Sequence, residues 1–290
     1  MARVSIGLPV YNGGELLAES LECLRAQTFV DIEVIVSDNA SSDDTRAIAE
    51  DFAARDPRFR VISQPKNLGA VGNFLATLEA ATAPCFMWRA HDDLSDVNYV
   101  ETLYRLLSEA PEAVLAVGRV ASADLDGNKA RRRDFPSMSG QASYRESVRL
   151  LFSAHPSWYY GLWRTGYLRE AFPRVVAAYP YPWAQDHLLL FQVLLRRAIV
   201  GTDETTFRQR LRRTKRDKAR RRREAVSPQV RVEQRRAFRK ACLAELEAMT
   251  GLPTSERLLT RALLPFYVNK RVHRLSKVIK GYLRQTPARN

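Results

Sequence analysis

Apolar positions in the first two hundred residues alternate between two rhythms, short β-branched runs and longer stretches with a helical period. Val4–Pro9 and Ile32–Ser37 are of the first kind and predict neighbouring strands. Between them, after the Gly13-Gly14 break, Glu15–Gln27 sets Leu17, Leu21 and Leu24 on one helical face, completing a βαβ unit. Ser41 to Thr45 offers capping side chains ahead of Ala47, Ile48 and Phe52, so a second helix is expected there. The pattern continues with a strand at Arg60–Ser63, a helix at Gly69–Ala81, a strand at Cys85–Trp88, a helix at Val97–Leu107 and a strand at Val114–Val120. Asp126-Gly127 signals a tight turn, and the polar, basic stretch from about Lys129 to Ser143 predicts a long loop. A helix near Arg145–Ser153, a strand at Tyr160–Trp163, a helix at Asp186–Arg196 and a closing strand at Ala198–Gly201 complete the series. From Thr206 onward strand signals stop and the chain reads as helical to about Gln285. Such alternation predicts an α/β fold, a mostly parallel sheet with helices on both faces.

Charge divides the chain more sharply than the apolar pattern does. The 290 residues carry a net charge of +14, but residues 1–204 hold 21 Lys and Arg against 26 Asp and Glu, whereas residues 205–290 hold 25 against 6. A mildly acidic domain at 1–205 followed by a basic helical extension at 206–290 is therefore expected. Cys23, Cys85 and Cys242 are far apart and form no Cys-x-x-Cys pair, which argues against a disulfide framework or a thiolate metal cluster. No window approaches the roughly 20 apolar residues of a membrane span, and Met1–Ile6 enters a strand with no signal-peptide pattern. These features predict a cytoplasmic protein whose membrane contact is at most peripheral.

In an open α/β sheet, ligands bind beyond the carboxyl ends of the strands. The first expected strand ends in Pro9-Val10-Tyr11-Asn12 and the second in Ser37-Asp38-Asn39, and His91-Asp92-Asp93 follows the fourth. Asp38 can accept a hydrogen bond from the N–H edge of a base, and the Asp92-Asp93 pair suits a sugar hydroxyl and a divalent cation. Taken singly, a Pro-x-Tyr-Asn turn, a capping Asp38 or a capping acidic pair are ordinary structural features. Their order along the chain describes a nucleoside-diphosphate site. The full Gly-x-Gly-x-x-Gly of a dinucleotide fold is absent, and Gly69 and Gly72 are as well explained by close helix–sheet packing.

These segments, together with Leu21–Phe29, Asn67-Leu68-Gly69 and Asn73, resemble family 2 glycosyltransferases, inverting enzymes with a GT-A fold. The resemblance is nearly continuous over residues 1–120, weaker to about 205, and hardly present in the tail. It implies that Pro9, Tyr11 and Asn12 lie against the nucleoside, that Asp38 reads the base, and that Asn67, Gly69 and Asn73 lie near the nucleotide. It implies further that Asp92 contacts ribose, Asp93 binds Mg²⁺ or Mn²⁺, and Asp186 in Gln185-Asp186-His187 is the base that deprotonates the acceptor. The implied substrates are a nucleoside-diphosphate sugar and a glycan or lipid-linked acceptor of the cell surface. A nucleotide-sugar-binding relative without turnover is the competing class, which an intact Asp38, Asp92, Asp93 and Asp186 disfavours. Arg164 and Arg131–Arg133 are candidates to stabilise the leaving diphosphate or to be merely solvated. Trp158, Tyr159 and Trp163 are candidates to stack on an acceptor sugar or to fill the core.

The tail admits three readings. Residues 208–223 contain eleven Lys or Arg and one acid, but they lack the interleaved aromatics of nucleic-acid readers. An apolar series from Leu258 to Leu283 would either embed in an anionic membrane, on the inner face of the plasma membrane, or pack the tail helices onto the domain or each other.

Overall fold

A computed structural model describes residues 1–125, 128, 130–136, 143–211 and 226–285, the last five by backbone alone. The Asp126-Gly127 turn expected from sequence lies outside the described residues. In chain order the strands are β1 (Val4–Val10), β2 (Ile32–Asp38), β3 (Phe59–Ser63), β4 (Cys85–Trp88), β5 (Leu94–Ser95), β6 (Leu115–Asp124), β7 (Arg131–Arg133), β8 (Leu162–Arg164) and β9 (Ile199–Leu211). The helices are α1 (Gly14–Arg25), α2 (Thr45–Arg55), α3 (Gly69–Glu79), α4 (Tyr99–Glu109), α5 (Tyr144–Ser153), α6 (Thr165–Ala178) and α7 (Gln185–Leu195), then α8 (Pro228–Ala248), α9 (Thr254–Arg271) and α10 (Leu275–Gln285).

The chain divides into two compact units that interleave along the sequence: Met1–Ser139, His155–Pro173 and Ala198–Leu211 in one, Gly140–Ala154, Arg174–Arg197 and Arg212–Asn290 in the other. The first holds a sheet of order β3-β2-β1-β4-β8-β6-β9-β5, with β7 paired to β6. β1 runs parallel to β2 and β4, in register Val10↔Asp38 and Gly7↔Trp88, so the three carboxyl ends open at one edge. Every residue of β1 is buried, Ser5 included, as expected of a parallel strand covered on both faces.

β9 is where the structure departs most from the pattern. Instead of a closing Ala198–Gly201 strand with none beyond 206, thirteen residues run parallel to β6 and antiparallel to the short β5, and the expected cut at 205/206 falls inside this strand. Its outer half, Phe207 to Leu211, sets the uncharged Phe207, Gln209 and Leu211 against Arg208 and Arg210, as a half-exposed strand does, but runs into the basic stretch that hides it. β7 likewise replaces part of the loop expected at 129–143, pairing Arg131 with Ser122 and Arg133 with Val120.

The second unit is helical. Phe238 is fully buried between Tyr179 and Tyr267, at ring-centroid distances of 5.5 and 5.9 Å, and Phe191 of α7 lies 5.5 Å from Tyr267. Arg197 forks onto Glu256 at 2.8 and 2.9 Å, and the buried Glu245 accepts from Arg174 Nε at 3.0 Å. Of the tail's apolar series, Leu264, Tyr267, Val268 and Val278 are buried here, whereas Leu258, Leu259, Phe266, Leu275 and Ile279 are exposed. Among the described residues no helix is long and apolar enough to cross a membrane.

Candidate functional site

The loop after β1 is bound to the loop after β2 by a dense set of hydrogen bonds. Asn12 N donates to Ser41 Oγ and Gly13 N to Thr45 Oγ1, both at 2.9 Å, while Asn12 Oδ1 accepts from Ser42 N at 2.9 Å. Asn12 itself sits at φ +48°, a left-handed conformation that Asn tolerates better than most residues. Asp38 ends β2 almost fully buried, and its Oδ1 accepts Ser41 N at 3.1 Å. A β-carbon on Gly13 would come within 2.5 Å of the His91 ring, so the absence of a side chain there lets the loop after β4 approach the loop after β1.

Pro9, Tyr11, Asn67, Gly69 and Asn73 share a cavity of about 420 Å³, also lined by Asn39, Phe74 and His91. Asn39 organises its rim: Nδ2 donates to Asn67 Oδ1 (3.0 Å) and Gly69 O (3.3 Å), and Oδ1 accepts from Leu68 N (2.8 Å). Asn73 is buried beneath, donating to Ser37 O (3.0 Å) and Val10 O (3.3 Å) and accepting from Ser37 Oγ (2.6 Å), which clamps the ends of β1 and β2. Gly69 has φ +73° with nothing within 4 Å of a would-be β-carbon, so backbone conformation, not close helix–sheet packing, calls for glycine. Asn39 was legible as the neighbour of Asp38 at a strand end; its bridging role was not.

The Asp92-Asp93 turn is held by a residue more than a hundred positions away. Arg210 of β9 donates its backbone N–H to Asp93 Oδ1 at 2.8 Å, its Nε to the Asp92 carbonyl, and its Nη1 to Glu19. Asp93 is only 4% exposed; burial, reinforced by the charge of Asp92, raises its pKa to about 7. Asp92 is half-buried and the more open of the two. Arg89, fully buried, donates to Ser95 Oγ at 2.7 Å and lies 5.4 Å from the centre of the Phe207 ring. Sequence reasoning missed Arg89 and Arg210, because nothing local links β9 to the acidic turn. Among the described residues no three His, Cys, Asp or Glu side chains cluster as a metal cage. One carboxylate with substrate phosphates and water is nonetheless the ordinary way Mg²⁺ is bound, and the acidic turn fits it.

Asp186 belongs to the second unit, in the first turn of α7, after Ala184 at φ +71°. Its Oδ1 accepts His187 N at 2.7 Å, and burial raises its pKa to about 6 against the pull of that N–H and of Arg271. Four other candidates resolve as structural. Arg164 caps α4, donating to Ala113 O at 2.7 Å and to Leu107 O and Ala110 O at 2.9 and 3.2 Å. Trp158, Tyr159 and Trp163 are core, with Tyr159 stacked on Trp88 at 4.6 Å.

A mixed sheet flanked by helices, with β1 to β4 running parallel and an acidic turn beyond β4, defines a GT-A fold. The family model described as Glycosyl transferase family 2 matches residues 5–175, more than half of the sequence, and the chain belongs to that family. It is 32% identical over 126 residues to the glycosyltransferase GlyG of Streptococcus pneumoniae, covering 43% of this chain and 42% of that protein. It is 31% identical over 185 residues to the uncharacterized glycosyltransferase EpsJ of Bacillus subtilis, covering 59% and 49%. The chain thus spans about half or less of the length of these curated relatives. Among solved structures, Staphylococcus aureus TarS 1–349 in complex with UDP-GlcNAc superposes with TM-score 0.74 at 17% identity, covering 98% of this chain and 77% of that one. The mannosyltransferase PcManGT of Pyrobaculum calidifontis, in complex with GDP-Man and Mn²⁺, gives 0.54 at 16% identity, covering 99% and 88%. At such identity these structures speak to fold alone.

Proposed function

We propose that the chain transfers a sugar from a nucleoside-diphosphate sugar to a hydroxyl of a glycan or lipid-linked acceptor, with inversion, in the synthesis of a cell-surface polysaccharide or glycoconjugate. The observation that carries this reading is the cavity at the carboxyl ends of β1 and β2, lined by Pro9, Tyr11, Asn67, Gly69 and Asn73. Its size is ordinary for a small-molecule site, about 300–1,000 Å³. Asp38 and Asn12 stand at the nucleoside end of that loop network. UDP-GlcNAc and GDP-Man in the structural neighbours support a donor of this kind.

Asp93, the expected metal ligand, is buried and gives one oxygen to Arg210, so in our reading it holds the turn while the more open Asp92 takes Mg²⁺ or Mn²⁺. When bound, the ion supplies positive charge to the departing diphosphate, usually the largest electrostatic contribution in such a reaction. Asp186 accepts the proton of the acceptor hydroxyl as the oxygen–anomeric carbon bond forms and the bond to the diphosphate oxygen breaks. Its raised pKa suits a base working near neutrality. Attack from the opposite face in one displacement inverts the anomeric centre.

The exposed Leu258, Leu259 and Phe266 of α9 and Leu275 and Ile279 of α10, with Arg261, Lys270, Arg274, Lys277 and Lys280 around them, suit peripheral contact with an anionic membrane on its cytoplasmic side. Calorimetric titration with UDP, GDP and dTDP, each with Mn²⁺ and with chelator, tests the donor assignment. One nucleotide should bind only with metal, and binding of none would leave a family member without donor chemistry.

A further inference from the structure

A second cavity, of about 330 Å³, opens in the first unit and, among the described residues, shares no lining residue with the donor cavity. Its floor is Val120 and Ser122 of β6 with Gln209 and Leu211 of β9, and its rim is Arg131, Arg132 and Arg133 of β7 with His155. Register explains the grouping. Ser122 pairs with Arg131 on one side and Gln209 on the other, and Val120 pairs with Arg133, so strand alternation puts these side chains on one face.

The polar groups there are mainly donors. Ser122 Oγ donates to Gln209 Oε1 at 3.0 Å, which orients the amide with Nε2 as its remaining group. His155 Nδ1 accepts Ser157 N at 3.2 Å, placing the neutral ring's proton on Nε2. Arg132 donates Nε to Asp134 at 2.6 Å, and Arg119 donates to the same oxygen at 2.7 Å. Among the described residues Arg131 and Arg133 pair with no carboxylate, and no Asp or Glu lines the cavity. Three arginines on an edge strand would by themselves serve to discourage edge-to-edge pairing. That role needs neither a cavity behind them nor the Ser122, Gln209 and His155 that complete it.

We propose that this cavity binds a phosphate ester, its phosphate held between Arg131 and Arg133 and its sugar or polyol over Ser122 and Gln209. Guanidinium forks match phosphate oxygens in geometry and charge, and the volume is too large for a bare phosphate but suited to one such unit. The ester is either a free sugar phosphate or a phosphate within an acceptor chain, and the two differ in charge and in what flanks the phosphorus.

Calorimetry of the full chain with glycerol 3-phosphate, a monoester, and with glycerophosphoglycerol, a diester, in about 150 mM salt to screen diffuse attraction, is the test. At least one should bind. Arg131→Gln with Arg133→Gln should weaken that binding about tenfold or more, with the thermal midpoint and UDP affinity unchanged. Arg221→Gln with Arg222→Gln, equal charge removed from the basic run, should leave it unchanged. Monoester binding alone assigns a free sugar phosphate, and diester binding of equal or greater strength assigns a polymer; both uphold the site. Heat from neither probe, an Arg131/Arg133 variant that binds as wild type, or equal weakening in both double variants would overturn it. UDP titration in the same samples reports separately on the donor reading.

Discussion

The two units handle charge and burial in opposite ways. In the first, the residues assigned to chemistry lie at strand ends, where Pro9, Tyr11, Asp38 and Asn39 are placed by the register of β1 and β2 and tied by side chain to backbone bonds. In the second, a sequence dominated by Arg and Lys conceals a packed aromatic core of Phe191, Phe238 and Tyr267. An open sheet exposes one edge whatever its helices do, so its site can be found from strand ends. A helical unit buries whichever face meets its neighbours, and composition does not say which face that is.

The largest expected effect separates binding from turnover. Asp186→Asn should lower transfer by about 10²–10⁴-fold, the scale of a general base, with metal-dependent nucleotide affinity unchanged, whereas Asp92→Asn should lose that metal dependence. Retained transfer in Asp186→Asn, measured as nucleotide release, would remove the assignment.

Next in size is the aromatic core. Phe238→Ala should cost about 3–5 kcal/mol in urea unfolding, as buried aromatics do, although it lies in the most basic third of the chain. Phe266→Ala, at an exposed position of α9, should cost less than about 0.5 kcal/mol, and with Leu258→Ala should instead weaken sedimentation with anionic liposomes. Equal destabilisation by both would erase the contrast.

Gly69→Ala places a β-carbon at φ +73° and should cost about 1–2 kcal/mol, with donor affinity reduced through the Asn39 and Asn67 rim. A change below measurement would mean that the loop relaxes freely.

The last effect is one of pH. Asp186 titrates near 6 in the folded protein, above an unfolded carboxylate, so the folded state binds more protons between these values. Stability from this group is therefore full at pH below about 4 and is lost as pH rises through about 6, while the rate rises over the upper part of that range as the base ionises. Asp186→Asn should flatten the rate profile and make thermal midpoints fall less steeply between about pH 4 and 6, the slope owed to the buried Asp93 remaining; an unchanged slope in stability would mean that the Asp186 carboxyl titrates where free carboxyls do.

Much of the fold was legible because it is local. Val4–Val10, Ile32–Asp38 and Cys85–Trp88 are short runs buried on both faces, and their apolar patterns survive without knowledge of partners. The strand-end residues followed from those. What was not legible depends on distant pairing: β7 reads as polar loop because all three of its residues are exposed arginines, and only β6 makes it a strand. Likewise α6, with Pro173 inside it, gave no clean helical signal.

By itself the sequence determined the α/β class, the order of the first strands and helices, and which polar residues end them, since strand and helix periods are properties of neighbouring positions. Tertiary structure alone decided that Arg210 closes the acidic turn, that Asp93 is buried while Asp92 stays more open, and that Phe238 and Tyr267 form a core within a basic tail. Burial and the pKa shifts that follow it arise from whatever packs against a residue, and those partners lie tens to more than a hundred positions away.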